Sequence, residues 1–264
     1  MNFTNQVIWI TGASSGIGKA LAIEFSKQGA SLLLSARNEA ALQDVRAACK
    51  HIDKVQIVPL NLEVHTSFRE KVAEAIAHFG CIDVLVNNGG ISQRSLAGET
   101  SLLVDKQIMD VNYLGTVALT KALLPHFIEN KSGQFVVTSS IVGKLGTPLR
   151  SSYAASKHAL HGFFDSLRAE IDKFNISVTM VCPGFVNTNV SINALTADGS
   201  PQQKMDDATK NGMDPNRFAR HMIRAIFNQK EEVYIAGFKE KLGVYLKRYY
   251  PRLLSRMIRK MRVT

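Results

Sequence analysis

The feature that most constrains this chain is the alternation of short apolar runs with longer amphipathic stretches. Seven runs, QVIWIT (6–11), SLLLSA (31–36), VQIVPL (55–60), IDVLVN (82–87), QFVVTS (134–139), SVTMVC (177–182) and VYIA (233–236), are mostly apolar throughout rather than alternating with polar residues. Strands buried on both faces have this character, as in a parallel sheet covered by helices. Helical patterns lie between them at about 16–28, 39–50, 67–79, 103–130, 152–174 and 215–229. The repeated βα units predict an α/β fold, a Rossmann-like doubly wound and mostly parallel seven-stranded sheet flanked by helices. No internal repeat or low-complexity linker divides the chain, so residues 1–238 are expected to form a single domain.

Two regions break the rhythm. Residues 185–213 are polar and rich in Gly, Asn and Asp, the character of a substrate lid or a mobile loop. Asp214-Pro215 then has the form of an N-cap with proline at the first helical position. The second region is the basic extension 239–264. It carries nine Lys/Arg residues and one acid, Glu240, so about +8 of the chain's net +10 lies there. The main body is close to neutral, and the basicity says little about its substrate. Apolar residues at three-to-four spacing from Leu242 to Met261 predict a pair of amphipathic basic helices interrupted at Pro251. Such helices suit packing on the domain or a second subunit, docking on an anionic membrane surface, or binding an acidic carrier protein or nucleic acid, the last class being the least favoured.

Three widely spaced cysteines, Cys49, Cys81 and Cys182, suggest neither a disulfide framework nor a zinc site. The seven histidines lack a supporting carboxylate or cysteine cluster, and no metal is expected. His158 and His161 are expected near a subunit interface. The first apolar run begins within a few residues of Met1, and no stretch is long enough to span a bilayer. A reduced, cytoplasmic setting is expected, with peripheral membrane contact through the extension.

The first apolar run leads into TGASSGIG (11–18) and then the amphipathic pattern KALAIEFSKQ. A glycine-rich turn between strand and helix lets the backbone approach a pyrophosphate, and the helix N-terminus supplies free N–H donors. Gly12, Ser14, Ser15, Gly16, Ile17 and Gly18 are therefore candidate cofactor residues. The second run ends in Ser35-Ala36-Arg37-Asn38. An acid there would accept from ribose hydroxyls and repel a 2′-phosphate, whereas a guanidinium grips that phosphate through two hydrogen bonds. Arg37, with Asn38 beside it, predicts NADP(H) over NAD(H).

TGASSGIG (11–18), NNGG (87–90), Asn112 in DVNYLG, TSSIVG (138–143), YAASK (153–157) and PGFVNT (183–188) occur in one order along nearly the whole chain. In these stretches the sequence resembles the short-chain dehydrogenase/reductase family, whose pattern also sets Ser140 thirteen residues before Tyr153. NNGGISQRSL, YLGTVALTK and SKHALHGFF are similar to its member 7 group and more loosely to its 11β-hydroxysteroid dehydrogenases. The resemblance implies an NAD(P)-binding oxidoreductase that pairs through its two long central helices into a homodimer or homotetramer. It also implies cofactor contacts from Asn61, Leu62, Asn88, Gly89, Pro183, Gly184, Val186 and Thr188, with Thr188 at the nicotinamide carboxamide. Two positions depart from the family pattern. Asn61 stands where an aspartate is frequent near the adenine, and Gly89 stands where alanine is usual; neither is expected to change function.

Tyr-x-x-x-Lys alone is a common spacing, but its chemistry is specific. Carbonyl reduction needs a proton on oxygen as well as a hydride on carbon. A tyrosine of pKa about 10 is a poor base near neutrality. A lysine one helical turn away lies on the same face and stabilises tyrosinate. Tyr153 is therefore the candidate acid/base, Lys157 its tuner, and Ser140 the group that orients the carbonyl, with Ser140 and Tyr153 binding the substrate. The resemblance adds a ribose contact for Lys157 and a proton-relaying water on Asn112. The expected substrate is a hydrophobic ketone or aldehyde and its alcohol, of steroid, retinoid or lipid type. Reduction of 3-oxoacyl groups on an acidic carrier, or a non-catalytic NADP sensor, are the alternatives.

Overall fold

The computed structural model describes residues 1–259. Seven strands form one sheet: β1 (Val7–Thr11), β2 (Ser31–Ser35), β3 (Val55–Ile57), β4 (Val84–Asn87), β5 (Gly133–Thr138), β6 (Ile176–Pro183) and β7 (Glu232–Ile235). Their order is β3-β2-β1-β4-β5-β6-β7. Every neighbouring pair is parallel, so the sheet is wholly rather than mostly parallel. The helices are α1 (Gly16–Lys27), α2 (Glu39–Ala47), α3 (Phe68–Phe79), α4 (Leu102–Met109), α5 (Gly115–Asn130), α6 (Ser151–Ile171), α7 (Asp207–Lys210), α8 (Pro215–Phe227), α9 (Phe238–Tyr249) and α10 (Pro251–Ile258).

Both faces of the sheet are buried, which is why its strands read as continuous apolar runs. Along β1, Ile8 and Ile10 pack with Phe25 of α1, Leu42 of α2 and Met222 of α8. Val7 and Trp9 point the other way, into a layer with Val72 of α3, Leu119 of α5 and Phe164 of α6. The chain winds outward from β1 to β3 and then returns to the other side of β1 as β4. That reversal opens a crevice at the carboxyl ends of the strands, the binding position in open α/β sheets.

The structure corrects two expected elements. β3 ends at Ile57, and beyond it only isolated bonds such as Val58 N–H to Leu34 O (3.0 Å) hold residues 58–60 to the sheet. The helix expected over 103–130 is divided by a π-helical turn at Asp110–Leu114. A π-turn inserts a residue into the helical ladder and re-aims the side chains around it.

Residues 185–213 are folded against the domain. Backbone bonds join Arg94 N–H to Leu195 O (2.8 Å), Leu195 N–H to Ser92 O (2.9 Å) and Ser101 N–H to Ala197 O (2.9 Å). Asp206 is buried against Arg94 (2.5 Å) and lies 3.5 Å from Arg150 at the start of α6. The helices of the basic extension separate at Pro251, which takes the first position of α10. Leu254 is buried with Ile141, Leu145 and Cys182, and Val244, Leu246 and Ile258 pack around them. One face of the extension thus packs on the domain; the part expected over 260–264 lies outside the described residues. Among the described residues no helix is long and apolar enough to cross a membrane.

Candidate active site

A cleft of about 390 Å³ lies at the crevice, lined by residues that follow β1, β2, β4, β5 and β6. Its first wall is the glycine turn. Gly12 has φ +65°, and a Cβ there would sit 2.7 Å from Gly89 Cα; a Cβ on Gly18 would sit 2.2 Å from Gly12 O. Only glycine permits this approach of helix, turn and neighbouring strand. Gly12, Ser14, Ser15, Gly16 and Ile17 line the cleft, whereas Gly18 packs beneath it. Ser15, at the N-cap of α1, makes no side-chain capping bond, which leaves first-turn N–H groups to an anion. The cradle therefore fits a pyrophosphate.

Asn88 borders the cleft, but its amide has a structural task. It donates to Thr11 O (3.1 Å), while Thr11 Oγ1 accepts the N–H groups of Asn88 and Gly89 (3.0 Å each). At the end of β2, Ala36 and Arg37 line the cleft with no carboxylate between them. Arg37 is exposed and makes no ion pair among the described residues. Asn38 accepts the Ala41 N–H (3.0 Å) as the cap of α2, and Asn61 Oδ1 accepts the Glu63 N–H (3.1 Å). Each keeps a place in the cleft wall with part of its acceptor capacity used. Leu62 packs against the glycine at 89: a Cβ there would lie 2.6 Å from Leu62 Cδ1, the end of a side chain that can turn aside.

Ser140 follows β5 directly after Ser139 and caps a short turn at Ile141–Gly143. Tyr153 and Lys157 lie one turn apart on α6, with the ammonium 5.8 Å from the phenol ring centroid. Ser140 and Tyr153 are hydrogen-bonded through their side chains. Burial pushes the Tyr153 phenol up, and the Ser140 bond and the Arg150 and Arg94 charges partly offset it. Lys157 Nζ donates to Thr138 O at 2.8 Å, and burial lowers its pKa to about 8. Burial thus outweighs the expected lowering of the tyrosine, and the nearby cations that offset it are arginines.

Asn112 is fully buried in the π-turn and does not line the cleft. Its Oδ1 accepts the Ile91 N–H (2.8 Å), and its Nδ2 donates to Ile91 O (2.9 Å) and Ser156 Oγ (3.0 Å). It therefore ties the segment after β4 to α6. Pro183, Gly184, Val186 and Thr188 line the opposite wall. Thr188 reaches the glycine turn, where a Cβ on Gly16 would be 3.1 Å from its methyl.

Sequence reasoning missed Gly90, whose bare face looks onto both Asn112 and Lys157, and the buried Arg94–Asp206–Arg150 group. The second neighbour in NNGG was a signal for Gly90; nothing local signals a pair 112 residues apart. His161 is buried within the subunit, with Nε2 2.9 Å from Ser139 Oγ, and burial lowers its pKa to about 4. Donor atoms of His161, Cys182 and Glu232 lie within 4.8 Å of one another, but Lys144 already occupies the Glu232 carboxylate at 2.7 Å. His158 stays on the exposed side of α6.

A doubly wound parallel sheet with a glycine cradle and a serine, tyrosine and lysine at one cleft defines a dinucleotide-binding oxidoreductase. The short chain dehydrogenase family model matches residues 6–198, and the chain belongs to the short-chain dehydrogenase/reductase family. Within it, the chain is 42% identical over 261 residues to a dehydrogenase/reductase SDR family member 7B from Bos taurus, covering 96% of this chain and 80% of the bovine protein. It is 40% identical to an SDR family protein 7-like from Drosophila melanogaster, covering 95% of this chain and 80% of the fly protein. A short-chain dehydrogenase from Streptomyces avermitilis superposes with TM-score 0.79 at 28% identity, covering 95% of this chain and 96% of that one. A Burkholderia phymatum family member in complex with NAD superposes with TM-score 0.83 at 23% identity, covering 96% of each chain. The fold binds a nicotinamide dinucleotide.

Proposed function

We propose that the protein is an NADP(H)-dependent oxidoreductase that interconverts a hydrophobic ketone or aldehyde and its alcohol. The observation that carries this is the convergence of the Ser140 hydroxyl, the Tyr153 phenol and the Lys157 ammonium beside a glycine cradle. The bound nicotinamide supplies or accepts the hydride. Ser140 donates a hydrogen bond to the carbonyl oxygen and fixes its direction. Tyr153 delivers the proton to that oxygen in reduction and removes it in oxidation. Lys157 remains mostly charged at neutral pH and stabilises the tyrosinate left after proton delivery.

Asn112 holds the floor of the site through Ile91 and Ser156, and its amide and the Lys157 ammonium both border the open face of Gly90, where a relaying water has its proposed place. Arg37 selects the 2′-phosphate, supported by its exposure, its lack of an ion pair among the described residues and the missing acid at Ala36. Pairing of subunits through α4, α5 and α6 would cover the exposed Leu102 and Leu103.

The test is consumption of NADPH and of NADH with a panel of steroid, retinoid and aliphatic ketones and a 3-oxoacyl thioester. Turnover of hydrophobic ketones with NADPH preferred is expected. Turnover of the thioester alone would reassign the substrate to acyl chains, and no turnover with NADPH still bound would make the protein a sensor.

A further inference from the structure

A second cavity, of about 380 Å³, lies on the other side of β7 from the catalytic residues, between α8 and the start of the basic extension. Its floor is apolar, with Ala225, Val233 and Ile235. Its rim carries three cations, Arg224 from α8, Lys230 from the turn before β7 and Lys241 from α9, with His221 beside Arg224 on one face of α8. All four rim residues are exposed, and none makes an ion pair among the described residues.

The exposed side of α9 continues this rim. Phe238, Leu242, Tyr245 and Tyr249 follow a four, three, four spacing, which aligns them on one helical face. All four are exposed, Phe238 to 80%, although each is apolar or aromatic. Lys241 lies beside this row, one turn from Phe238 and Tyr245. The rings of Tyr245 and Tyr249 are 4.7 Å apart, and that of Tyr250 is 6.4 Å from Tyr245. Leu253 and Met257 carry an exposed apolar row along α10, beside the buried Leu254. Arg248 lies one turn from Tyr245 and Arg256 one turn from Leu253, beside the two rows. The domain-facing side of both helices is already used, so this second apolar side is surplus to folding.

We propose that this face docks on an anionic phospholipid surface, with the α8–α9 groove taking a lipid phosphate and the aromatic row entering the interfacial layer. Charge complementarity selects this occupant. A row of exposed aromatics bordered by lysine and arginine is matched by headgroup phosphates over acyl chains, and it fits a protein partner only if that partner is both acidic and apolar. The proposal does not depend on the catalytic assignment, because no groove residue that it uses lies in the catalytic cleft.

The test is co-sedimentation of the full chain with vesicles of phosphatidylcholine alone and of phosphatidylcholine with phosphatidylserine, at low and high salt. Arg224→Glu/Lys241→Glu is compared with Lys50→Glu/Lys121→Glu, which changes the net charge equally elsewhere on the surface. Binding is expected only to the anionic vesicles, weakened by salt, and reduced about thirtyfold or more in the groove variant. The control variant should lose far less, and Tyr245→Ser/Tyr249→Ser should also bind weakly. Thermal melts and circular dichroism spectra of the same preparations show that each variant is folded. Equal loss in the groove and control variants would overturn the groove assignment. Equal binding to neutral vesicles, or tight binding of inorganic phosphate, RNA or an acidic protein without vesicle binding, would overturn the docking surface.

Discussion

Gly90→Ala is a small change with a calculable consequence. A Cβ at position 90 would lie 2.9 Å from Asn112 Oδ1 and 3.6 Å from Lys157 Nζ. The first distance is shorter than carbon and oxygen tolerate without movement. Asn112 has nowhere easy to go, because its amide is held by Ile91 and Ser156 through bonds of 2.8, 2.9 and 3.0 Å. The methyl must either break one of these bonds, at about 1 kcal/mol, or push the segment after β4 away from α6. Overpacking of this kind costs about 1–3 kcal/mol. Each kcal/mol lowers Tm by about 2–4 °C in a domain of this size. The same shift moves Lys157 against Tyr153, and misplacement by about 1 Å costs up to a hundredfold in rate. Gly98→Ala is the control, since a Cβ there meets nothing within 4 Å. Circular dichroism melts and steady-state NADPH oxidation measure both effects. A Gly90→Ala protein with the Tm and kcat of wild type would refute the role given to Asn112 and Gly90.

Two further outcomes are expected. Arg37→Asp lowers the ratio of NADP to NAD efficiency by about tenfold to a hundredfold, the value of hydrogen bonds to a charged group; an unchanged ratio would remove Arg37 as the selector. Asp206→Asn leaves the Arg94 and Arg150 guanidiniums buried without their carboxylate, a loss of about 3–5 kcal/mol, read by denaturant melts and limited proteolysis of 185–213. Burial alone raises the Asp206 pKa, but the bonds and charges of Arg94, with Gln202 and Arg150, bring it below the ordinary 3.8. Its contribution is therefore present above that value and fades as pH falls through the lowered one. Acid loosening of segment 185–213 in the wild type below about pH 4 should be blunted in Asp206→Asn, and identical acid profiles would sink this assignment.

The parts legible in the sequence are those fixed by local pattern. Strands buried on both faces showed as apolar runs, and the glycine turn, Ser140 and the Tyr153–Lys157 spacing are each set within one turn or loop. The illegible parts depend on contacts between distant segments. Asp206 meets Arg94 across 112 residues, so segment 185–213 reads as a polar loop until both charges are seen buried together. The π-turn at Asp110–Leu114 leaves no mark in apolar periodicity, yet it aims Asn112 at Ile91. Asn88 and Asn38 have the composition of ligand-binding residues, but their amides are bonded to the backbone. His161 showed as a residue next to a motif, and only the packing of α6 on β5 and β6 reveals its bond to Ser139.

The central claim is that Tyr153 transfers the proton. Tyr153→Phe removes one oxygen atom and leaves the glycine cradle, Lys157 and the aromatic packing in place. The decisive measurement is single-turnover NADPH oxidation with a ketone substrate, alongside NADPH binding by fluorescence on the same protein. Tyr153→Phe should bind NADPH as wild type does while turnover falls by about a hundredfold to ten-thousandfold. Near-wild-type turnover would contradict the assignment of Tyr153 as the acid/base.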